Sequence, residues 1–448
     1  MHNYGVILWP MLGTLFDASQ HRHQHSKESS VSSVNKNILY MLLAQLGRFV
    51  VPLITFPYLT RVLGLEHYGI FAFGLALATY MGLVTQFGFN LSAVEQVTRF
   101  KSDTRQMERV VSAVLAAQGV IFVAVSLIVA MGLWLVDVSP MTALVIVCFF
   151  PNVIGNSLLV PWLHQGIEKM ANVALFIMLG RLLSIPFVFW LVNTPDDVWL
   201  AALLHAAGVL MAGLMSVTVA FRQIGIRRVV IERDAMLQLT RESYPLFITN
   251  ASANMYSASV PLLVGFVSGA VSVGLYNAAQ VFKNIATQLM AAIFQSIFPR
   301  SLRYYDEDRD EMKRFLTKYL KLCTALALAG SGLAIVLAPW LVVIAAGPEF
   351  APAAPVLQVL MLSVVLGVLN NFLGVQTLIP FGFKSEFSKV VLRSGVLSLA
   401  LTLPLAYLFG AIGAAVSVVL VELVICIGLV ALHRKHQINV FRLGNADT

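Results

Sequence analysis

Charged residues are scarce in this chain of 448 residues, and their scarcity excludes a soluble globular protein. Only 12% of the residues are charged, whereas 58% are apolar. The 22 Asp and Glu residues are fewer than the 30 Lys and Arg residues, which gives a formal net charge of +8. A membrane-spanning helix needs about 20 mostly apolar residues to cross a hydrocarbon layer about 30 Å thick. The composition therefore indicates a protein that crosses the membrane many times.

Cysteine is also scarce, and the common motifs of cofactor chemistry are missing. The three cysteines, Cys148, Cys323 and Cys426, lie inside apolar runs and lack the spacing of a zinc site or of a disulfide framework. The sequence has no Gly-x-x-x-x-Gly-Lys-Ser/Thr phosphate loop and no histidine or carboxylate cluster with the spacing of metal ligands. We therefore expect no cofactor, no metal and no nucleotide-driven motor.

Apolar runs of spanning length predict an all-α polytopic fold with about 12 transmembrane helices. The runs cover residues 37–60, 67–90, 109–134, 141–163, 170–192, 198–220, 243–267, 271–298, 318–345, 354–380, 387–409 and 411–432.

The basic residues predict how these helices are oriented. With the N-terminus in the cytoplasm, 25 of the 30 Lys and Arg residues fall on cytoplasmic segments, and the outside connections hold only Arg61. This bias agrees with the positive-inside rule at every connection. Both termini are therefore predicted to be cytoplasmic. Because the positive charge reflects topology, we expect no nucleic-acid partner.

The longest polar connection, residues 222–242, divides the chain into two halves of six helices. FPYLTRVLGLEHYGIFAFGLAL (56–77) in the first half has a counterpart in VPLLVGFVSGAVSVGLYNAAQV (260–281) in the second. Since each half has an even number of helices, both enter from the same face, which predicts two pseudo-symmetric six-helix bundles with a cleft between them. The predicted segments are a disordered cytoplasmic tail (1–36), an N-lobe (37–221), a cytoplasmic linker (222–242), a C-lobe (243–434) and a second tail (435–448).

Polar side chains form a stripe on the predicted eighth helix. Asn277, Gln280, Lys283 and Asn284 follow one another at spacings of three and four residues, so that they share one helix face. Polar groups in hydrocarbon would lack hydrogen-bond partners, so the stripe must contact protein or water. Amides that only join helices to one another are the simpler alternative. The lysine within the stripe favours a water-filled cleft.

Once the basic residues at the cytoplasmic ends of the helices are assigned to the loops, four basic residues but one acidic residue remain inside the predicted spans. The bases are Arg48, Arg181, Lys283 and Arg393, and the acid is Glu422 in the last helix. A charge at the bilayer centre costs at least about 2.5 to 3.5 kcal/mol on insertion scales. Even if Glu422 neutralises Arg393 on the adjacent helix, the sequence offers no further acidic residue at comparable depth for the other three cations. Such a surplus favours an anionic cargo, since guanidinium groups bind phosphate oxygens in pairs.

Two stretches resemble a known transporter family. FPYLTRVLGLEHYGIFAFGLALATYMGLVTQFGFNLSAVEQVTR (56–99) and PWLHQGIEKM (161–170) closely resemble the polysaccharide-repeat-unit flippases, or O-antigen flippases, of the multidrug/oligosaccharidyl-lipid/polysaccharide exporter (MOP) superfamily. The similarity extends from Asn35 to Lys435. It implies the fold of this superfamily, which also includes the MATE drug exporters.

The resemblance also implies a function and its partners. It implies a bacterial inner-membrane protein that moves an undecaprenyl-pyrophosphate-linked oligosaccharide, an O-antigen or exopolysaccharide repeat unit, from the cytoplasmic to the periplasmic leaflet. Two lobes would give alternating access to a cationic central cavity. The implied partners are this lipid-linked oligosaccharide, membrane lipids, and the polysaccharide polymerase and chain-length machinery.

Individual residues of this chain match positions of the family pattern. Arg48 and Arg61 on the first helix, Asn90 at the end of the second, and Trp162, Gln165, Gly166 and Glu168 of the fourth-to-fifth connection match the family pattern. The chain departs from it at Leu163 and His164, where many members have an aromatic pair. The role of His164 therefore stays open, with a cytoplasmic loop residue as the simplest interpretation. The predicted substrate-binding set is Arg48, Arg61, Asn90, Arg181, Asn277, Gln280, Lys283, Asn284 and Arg393, and Glu422 is a candidate for ion coupling.

Two other functions fit this sequence less well. A MATE-like exporter of drugs or organic cations should carry unpaired carboxylates at membrane depth, and the surplus here has the opposite sign. A membrane sugar polymerase or ligase acting on the same carrier needs a large external catalytic loop. The external connections, such as VDVSP and NTPDD, are too short for one. We therefore expect a transporter and not an enzyme.

Overall fold

The computed structural model describes residues 29–101, 103–136, 138–226, 232–438 and 440, but not the side chains of 29–53, 170–171 and 249–258. Over this part of the chain the regular structure consists of helices. In chain order the α-helices are α1 (Ser29–Gln86), α2 (Phe89–Arg99), α3 (Thr104–Leu135), α4 (Pro140–Cys148), α5 (Phe150–Leu158), α6 (Pro161–Gly166), α7 (Met170–Leu191), α8 (Val198–Ile224), α9 (Arg233–Glu307), α10 (Arg309–Ala346), α11 (Ala353–Leu373) and α12 (Lys384–Lys435).

Three of these helices are bent at a glycine. The breaks are Gly64 in α1, Gly269 in α9 and Gly410 in α12, each with a positive φ that an L-residue with a side chain rarely adopts. Within the described residues, 9 segments are long and apolar enough to cross a membrane, and 3 of them contain one of these breaks. The predicted all-α polytopic fold is confirmed. The number of about twelve spans stays a prediction.

The bends at Gly64 and Gly269 fall inside the two stretches that the sequence identified as an internal repeat. Gly64 has φ 69° and ψ 178°, and Gly269 has φ 77° and ψ 178°. Each bend follows a proline by seven or eight residues, at Pro57 and Pro261. The two copies therefore make the same local turn, as a repeated sequence should.

The chain divides into two compact units. One extends to Ala251 and the other begins at Ser252. The boundary lies inside α9, beyond the polar connection 222–242. Below, these units are called the N-lobe and the C-lobe; the exact segment limits given above remain predictions.

The first turns of α9 pack on the N-lobe, although they follow the polar connection. The hydroxyl oxygens of Ser92 and Ser243 are 2.6 Å apart, and the rings of Phe87 and Phe247 stack with their centroids 4.5 Å apart. A side chain at Gly88, which has φ 76°, would meet the backbone of Phe247 at 2.8 Å. The start of α9 is therefore part of the N-lobe core, in agreement with the boundary at Ala251.

Glycines allow the helices of the N-lobe to approach one another closely. A Cβ on Gly208 of α8 would lie 2.8 Å from the carbonyl oxygen of Gly180 on α7. A Cβ on Gly155 of α5 would lie 2.6 Å from the backbone of Leu210 on α8. Small residues at such crossings let helix backbones pack tightly in membranes. The glycines of α8 thus fix the position of α7, which carries Arg181.

Gly208→Val should destabilise the N-lobe. The valine methyls would overlap the backbone of α7, and overpacking of this kind costs about 1 to 3 kcal/mol. We expect the melting temperature of the purified protein in detergent to fall by about 5 °C or more. Gly119→Val is the control, because nothing lies within 4 Å of a Cβ at Gly119. Equal falls in the two variants would contradict the assigned helix contact.

Helix α10 begins with a side-chain cap. The carboxylate of Asp308 accepts hydrogen bonds from the backbone amides of Asp310 at 2.8 Å and Glu311 at 3.0 Å. These two amides hold the pKa of the Asp308 carboxyl below its usual range. The cap separates α10 from the end of α9 at Glu307.

Candidate functional site

The predicted site residues of the N-lobe centre on Arg181, a half-buried residue in the middle of α7. Its charge acts on His205 of α8. The ring of His205 lies edge-on to Phe71 and Phe149, with both centroid distances 5.9 Å. Arg181 therefore interacts electrostatically with a second ionisable group that the sequence reasoning did not single out. The available signal was a histidine inside the apolar run 198–220.

The predicted polar stripe of the C-lobe lies on α9, after the break at Gly269. Asn277, Gln280 and Lys283 are half-buried, and Asn284 is exposed. A face that is partly accessible and rich in amides offers both hydrogen-bond donors and acceptors. Lys283 thus shares a half-buried polar face of α9 with Asn277 and Gln280, and its role in a binding site stays a prediction.

Glu422 of α12 is the acidic group near this stripe. Its carboxylate accepts a hydrogen bond of 2.6 Å from the amide of Asn370 on α11, and its backbone oxygen accepts another of 2.9 Å from the same amide. The charge of Glu422 acts on Lys283. The predicted partner of Glu422, Arg393, is exposed and forms no ion pair among the described side chains. The pairing of Glu422 with Arg393 is therefore not among the described contacts, in which Asn370 is the hydrogen-bond partner of the Glu422 carboxylate.

A second amide pair of the C-lobe follows on the π-helical turn Gly374–Leu378. The amide of Gln376 donates to the backbone oxygen of Phe294 at 3.2 Å and to the side-chain oxygen of Asn371 at 3.3 Å. The bond to Phe294 joins the turn to α9, and the bond to Asn371 joins it to α11. Asn371 and Gln376 are thus engaged in helix contacts, which is the simpler of the two roles weighed for such amides.

The remaining substrate-binding candidates are scattered. The side chain of Arg48 lies outside the described residues, and Arg61 is exposed on α1 just before Gly64. The side chain of Asn90 donates to Gln86 one turn earlier at 2.8 Å. The structure does not bring Asn90 and Arg181 together in any contact it describes.

The family motif of the fourth-to-fifth connection is a packing element. It forms α6, with Trp162 buried, and a side chain at Gly166 would overlap Val97 of α2. Glu168, with φ 62°, forms a salt bridge of 2.9 Å with Lys101, and both are exposed. Gln165 is half-buried in the same helix. This motif therefore fastens α6 to the end of α2.

His164 is not a loop residue, contrary to the expectation from sequence. It is fully buried in α6, and its Nε2 lies 3.0 Å from the hydroxyl of Ser216 on α8. That hydroxyl donates in turn to the backbone oxygen of Leu159. Local polarity suggested a loop, but the contact with Ser216 gives the Nε2 of the buried ring a hydrogen-bond partner.

A cavity of about 540 Å³ at one end of the N-lobe was also missed by the sequence reasoning. It lies between α2, the start of α3 and the start of α9. Its charged side chains are already matched: Arg99 with Glu95 at 3.2 Å, Arg109 with Glu232 at 2.6 Å, and Glu242 with the amides of Gln96 at 2.9 Å and Gln238 at 3.0 Å. Because these groups neutralise one another, the cavity is not a cationic site.

Comparison with known proteins gives one family and two closely matching relatives. The model of a family described as "Polysaccharide biosynthesis protein" matches residues 34–305. A protein of Escherichia coli (strain K12) named "Putative O-antigen transporter" is 32% identical over 87% of this chain and 94% of its own length. A protein of the same name from Shigella dysenteriae is 25% identical over 88% of this chain and 98% of its own.

Solved structures show the same fold. The lipid II flippase MurJ in an inward closed conformation has a TM-score of 0.72 at 14% identity, over 89% of this chain and 87% of its own. A multidrug resistance MATE transporter of the MOP superfamily, in an inward-facing conformation, has a TM-score of 0.65 at 14% identity, over 90% of this chain and 99% of its own. The fold expected from the sequence resemblance is confirmed.

Proposed function

Because this chain belongs to the polysaccharide biosynthesis protein family, we propose that it is a flippase for a lipid-linked oligosaccharide. In this proposal the cargo is an undecaprenyl-pyrophosphate-linked repeat unit of O-antigen or exopolysaccharide. The protein carries it from the cytoplasmic to the periplasmic leaflet of the bacterial inner membrane, with both of its own termini in the cytoplasm.

The observation that carries the proposal is the match to the Escherichia coli relative over nearly the whole of both chains. Both curated relatives bear the name of an O-antigen transporter. The names describe transport and not catalysis, in agreement with the expectation from the short external loops. The chain is a multi-pass membrane protein, which transport across a bilayer requires.

The physical chemistry of the cargo supports the same conclusion. An oligosaccharide that crossed about 30 Å of hydrocarbon unaided would leave many hydroxyl groups without partners, at several kcal/mol each. A polar path is therefore needed for the sugar, while the lipid tail stays in the bilayer. The amide stripe of α9, with Asn277, Gln280 and Asn284, is suited to hydroxyl groups.

The cations supply the part of the site that recognises pyrophosphate. We assign this role to Arg181 of the N-lobe and Lys283 of the C-lobe, which lie on partly accessible faces of their lobes. The proposed cycle gives alternating access to a cationic central cavity. Arg48, Arg61 and Asn90 are further candidates for the same cavity.

The membrane potential can drive this export. With the cell interior negative, moving a net charge of about minus two outward runs down the electrical gradient and is favourable by roughly 2.3 kcal/mol per charge for each 100 mV. Inward movement of a proton or sodium ion at Glu422 is the alternative. Glu422 is half-buried and hydrogen-bonded to Asn370, so its carboxylate is held in a fixed position.

Two measurements test the proposal. In a strain that lacks this protein, lipid-linked oligosaccharides should accumulate on the cytoplasmic side, as identified by mass spectrometry. In proteoliposomes the purified protein should flip this lipid faster when the potential is clamped in the favourable direction. A deletion strain with normal surface polysaccharide and no accumulated intermediate would refute the function. A flipping rate that does not change with the clamped potential would refute only the proposed driving force.

A further inference from the structure

Two cations lie on an exposed face of α12, apart from the polar cluster around Glu422. Lys389 and Arg393 are separated by one helical turn, and both are exposed. At further spacings of three and four residues the same face continues through Val396, Ala400, Leu403 and Tyr407. Val396 is 57% exposed, Leu403 41% and Tyr407 74%. The face is thus a single stripe, cationic at one end and apolar along the rest.

The stripe has the properties of a surface that contacts lipid. The polar residues of this part of α12, Ser394, Ser398 and Thr402, lie on the other side and are buried. Thr402 and Ser417 are hydrogen-bonded at 2.8 Å inside the protein. From Lys389 to Tyr407 the helix rises about 27 Å, close to the hydrocarbon thickness of about 30 Å. An apolar stripe of this length is stable against acyl chains and unfavourable against water.

The position of Arg393 along the stripe indicates that its charge interacts with an anion. If Lys389 lies at the level of the headgroups, Arg393 lies about 6 Å deeper, where a guanidinium group is costly without a partner. Among the described side chains no carboxylate forms a salt bridge with either cation. Glu422 is hydrogen-bonded to Asn370 instead. An anion from outside this part of the chain would stabilise Arg393, and on a lipid-facing surface the phosphate groups of lipids supply such anions.

We propose that this stripe is a docking site for the carrier lipid in the cytoplasmic leaflet, with Lys389 and Arg393 on the diphosphate and the apolar residues along the polyprenyl chain. The inference rests on the proposed function, but assigns a surface that the function by itself does not require. Two cations one turn apart, about 6 Å, complement two linked phosphates. A narrow stripe on one helix complements a single unbranched chain. An ordinary phospholipid offers one phosphate on two acyl chains and fits this arrangement less well.

Binding of sugar-free undecaprenyl diphosphate to the purified full-length protein tests the site. The measurement is native mass spectrometry in detergent, with undecaprenol and phosphatidylglycerol as comparison lipids. We expect Lys389→Gln/Arg393→Gln to weaken binding of the diphosphate by about tenfold or more, since two charge-assisted contacts are lost. Arg314→Gln/Lys318→Gln is the matched control, because it removes the same charge from exposed positions of α10 in the same lobe. The control should bind like the wild type.

The other outcomes separate this proposal from the function on which it rests. Unchanged binding in the Lys389/Arg393 variant overturns the docking site and leaves the function standing. Equal weakening in both variants, or equal affinity of the wild type for phosphatidylglycerol, also overturns it, in favour of a general anionic-lipid surface. A wild type that does not bind undecaprenyl diphosphate overturns both. The exchange Lys389→Arg/Arg393→Lys, which keeps both charges, should retain binding and so excludes misfolding as the cause of a loss.

Discussion

Replacing Arg181 with alanine should abolish the export of surface polysaccharide while the protein still inserts into the membrane. A guanidinium group can donate two parallel hydrogen bonds to a phosphate, each worth about 1.5 to 3 kcal/mol when charged. The loss of both predicts a fall in flipping rate on the order of a hundredfold or more. The measurement is complementation of a deletion strain, together with flipping of the lipid-linked oligosaccharide in proteoliposomes.

Two further variants make this result specific. Arg181→Lys keeps the charge but loses the planar fork, so it should retain part of the activity if charge is what matters. Arg99→Ala removes an exposed arginine of the same lobe whose partner is Glu95 at 3.2 Å, and should export normally. Full complementation by Arg181→Ala would contradict the proposed role of Arg181 in binding the pyrophosphate.

Lys283→Ala should produce the second large loss. The ammonium group lies on the amide stripe of α9, and the charge of Glu422 acts on it. Its removal takes away a cation for the cargo and leaves the Glu422 carboxylate to repel the pyrophosphate. We expect flipping to fall about tenfold to a hundredfold. Initial rates in proteoliposomes measure this directly.

The double variant Lys283→Ala/Glu422→Gln separates the two contributions. If repulsion by Glu422 accounts for part of the loss, the double variant should flip faster than Lys283→Ala alone. If Glu422 instead carries the coupling ion, the double variant should be as slow or slower. Lys318→Ala, an exposed lysine of the same lobe, is the control and should behave like the wild type. Normal export by Lys283→Ala would contradict the assigned role.

Much of the fold was predictable because hydropathy and helix-breaking residues act locally. The apolar runs predicted helix boundaries between residues 60 and 67 and between 267 and 271, and bends at Gly64 and Gly269 are present. The packing of the start of α9 on α2 was not predictable. It depends on contacts between residues some 150 positions apart, such as Ser92 and Ser243, and the polar composition of this region suggested a solvated linker.

The candidate site was less predictable for the same physical reason. Helical spacing placed Asn277, Gln280 and Lys283 on a common face, since that depends only on the helix period. Which helix Glu422 faces depends on how α12 is rotated against α11, and adjacency in sequence favoured Arg393 over the observed Asn370. His164 was misjudged because the burial of a short polar segment depends on a distant partner, here Ser216.

The attachment of the start of α9 to the N-lobe has a consequence for recombining related transporters. A chimaera joined at residues 227–231 would place a foreign helix start against the native α2. Its junction would have to reproduce the hydroxyl at Ser243 and the ring at Phe247, which contact Ser92 and Phe87. A crossover placed after residue 251 keeps residues 233–251 together with the N-lobe of the same protein and preserves this contact. The polar connection 222–242 is therefore a poor crossover point, although its composition suggests one. In exchanges between homologues, the N-terminal segment that must be kept in one piece therefore extends further than the hydropathy profile suggests.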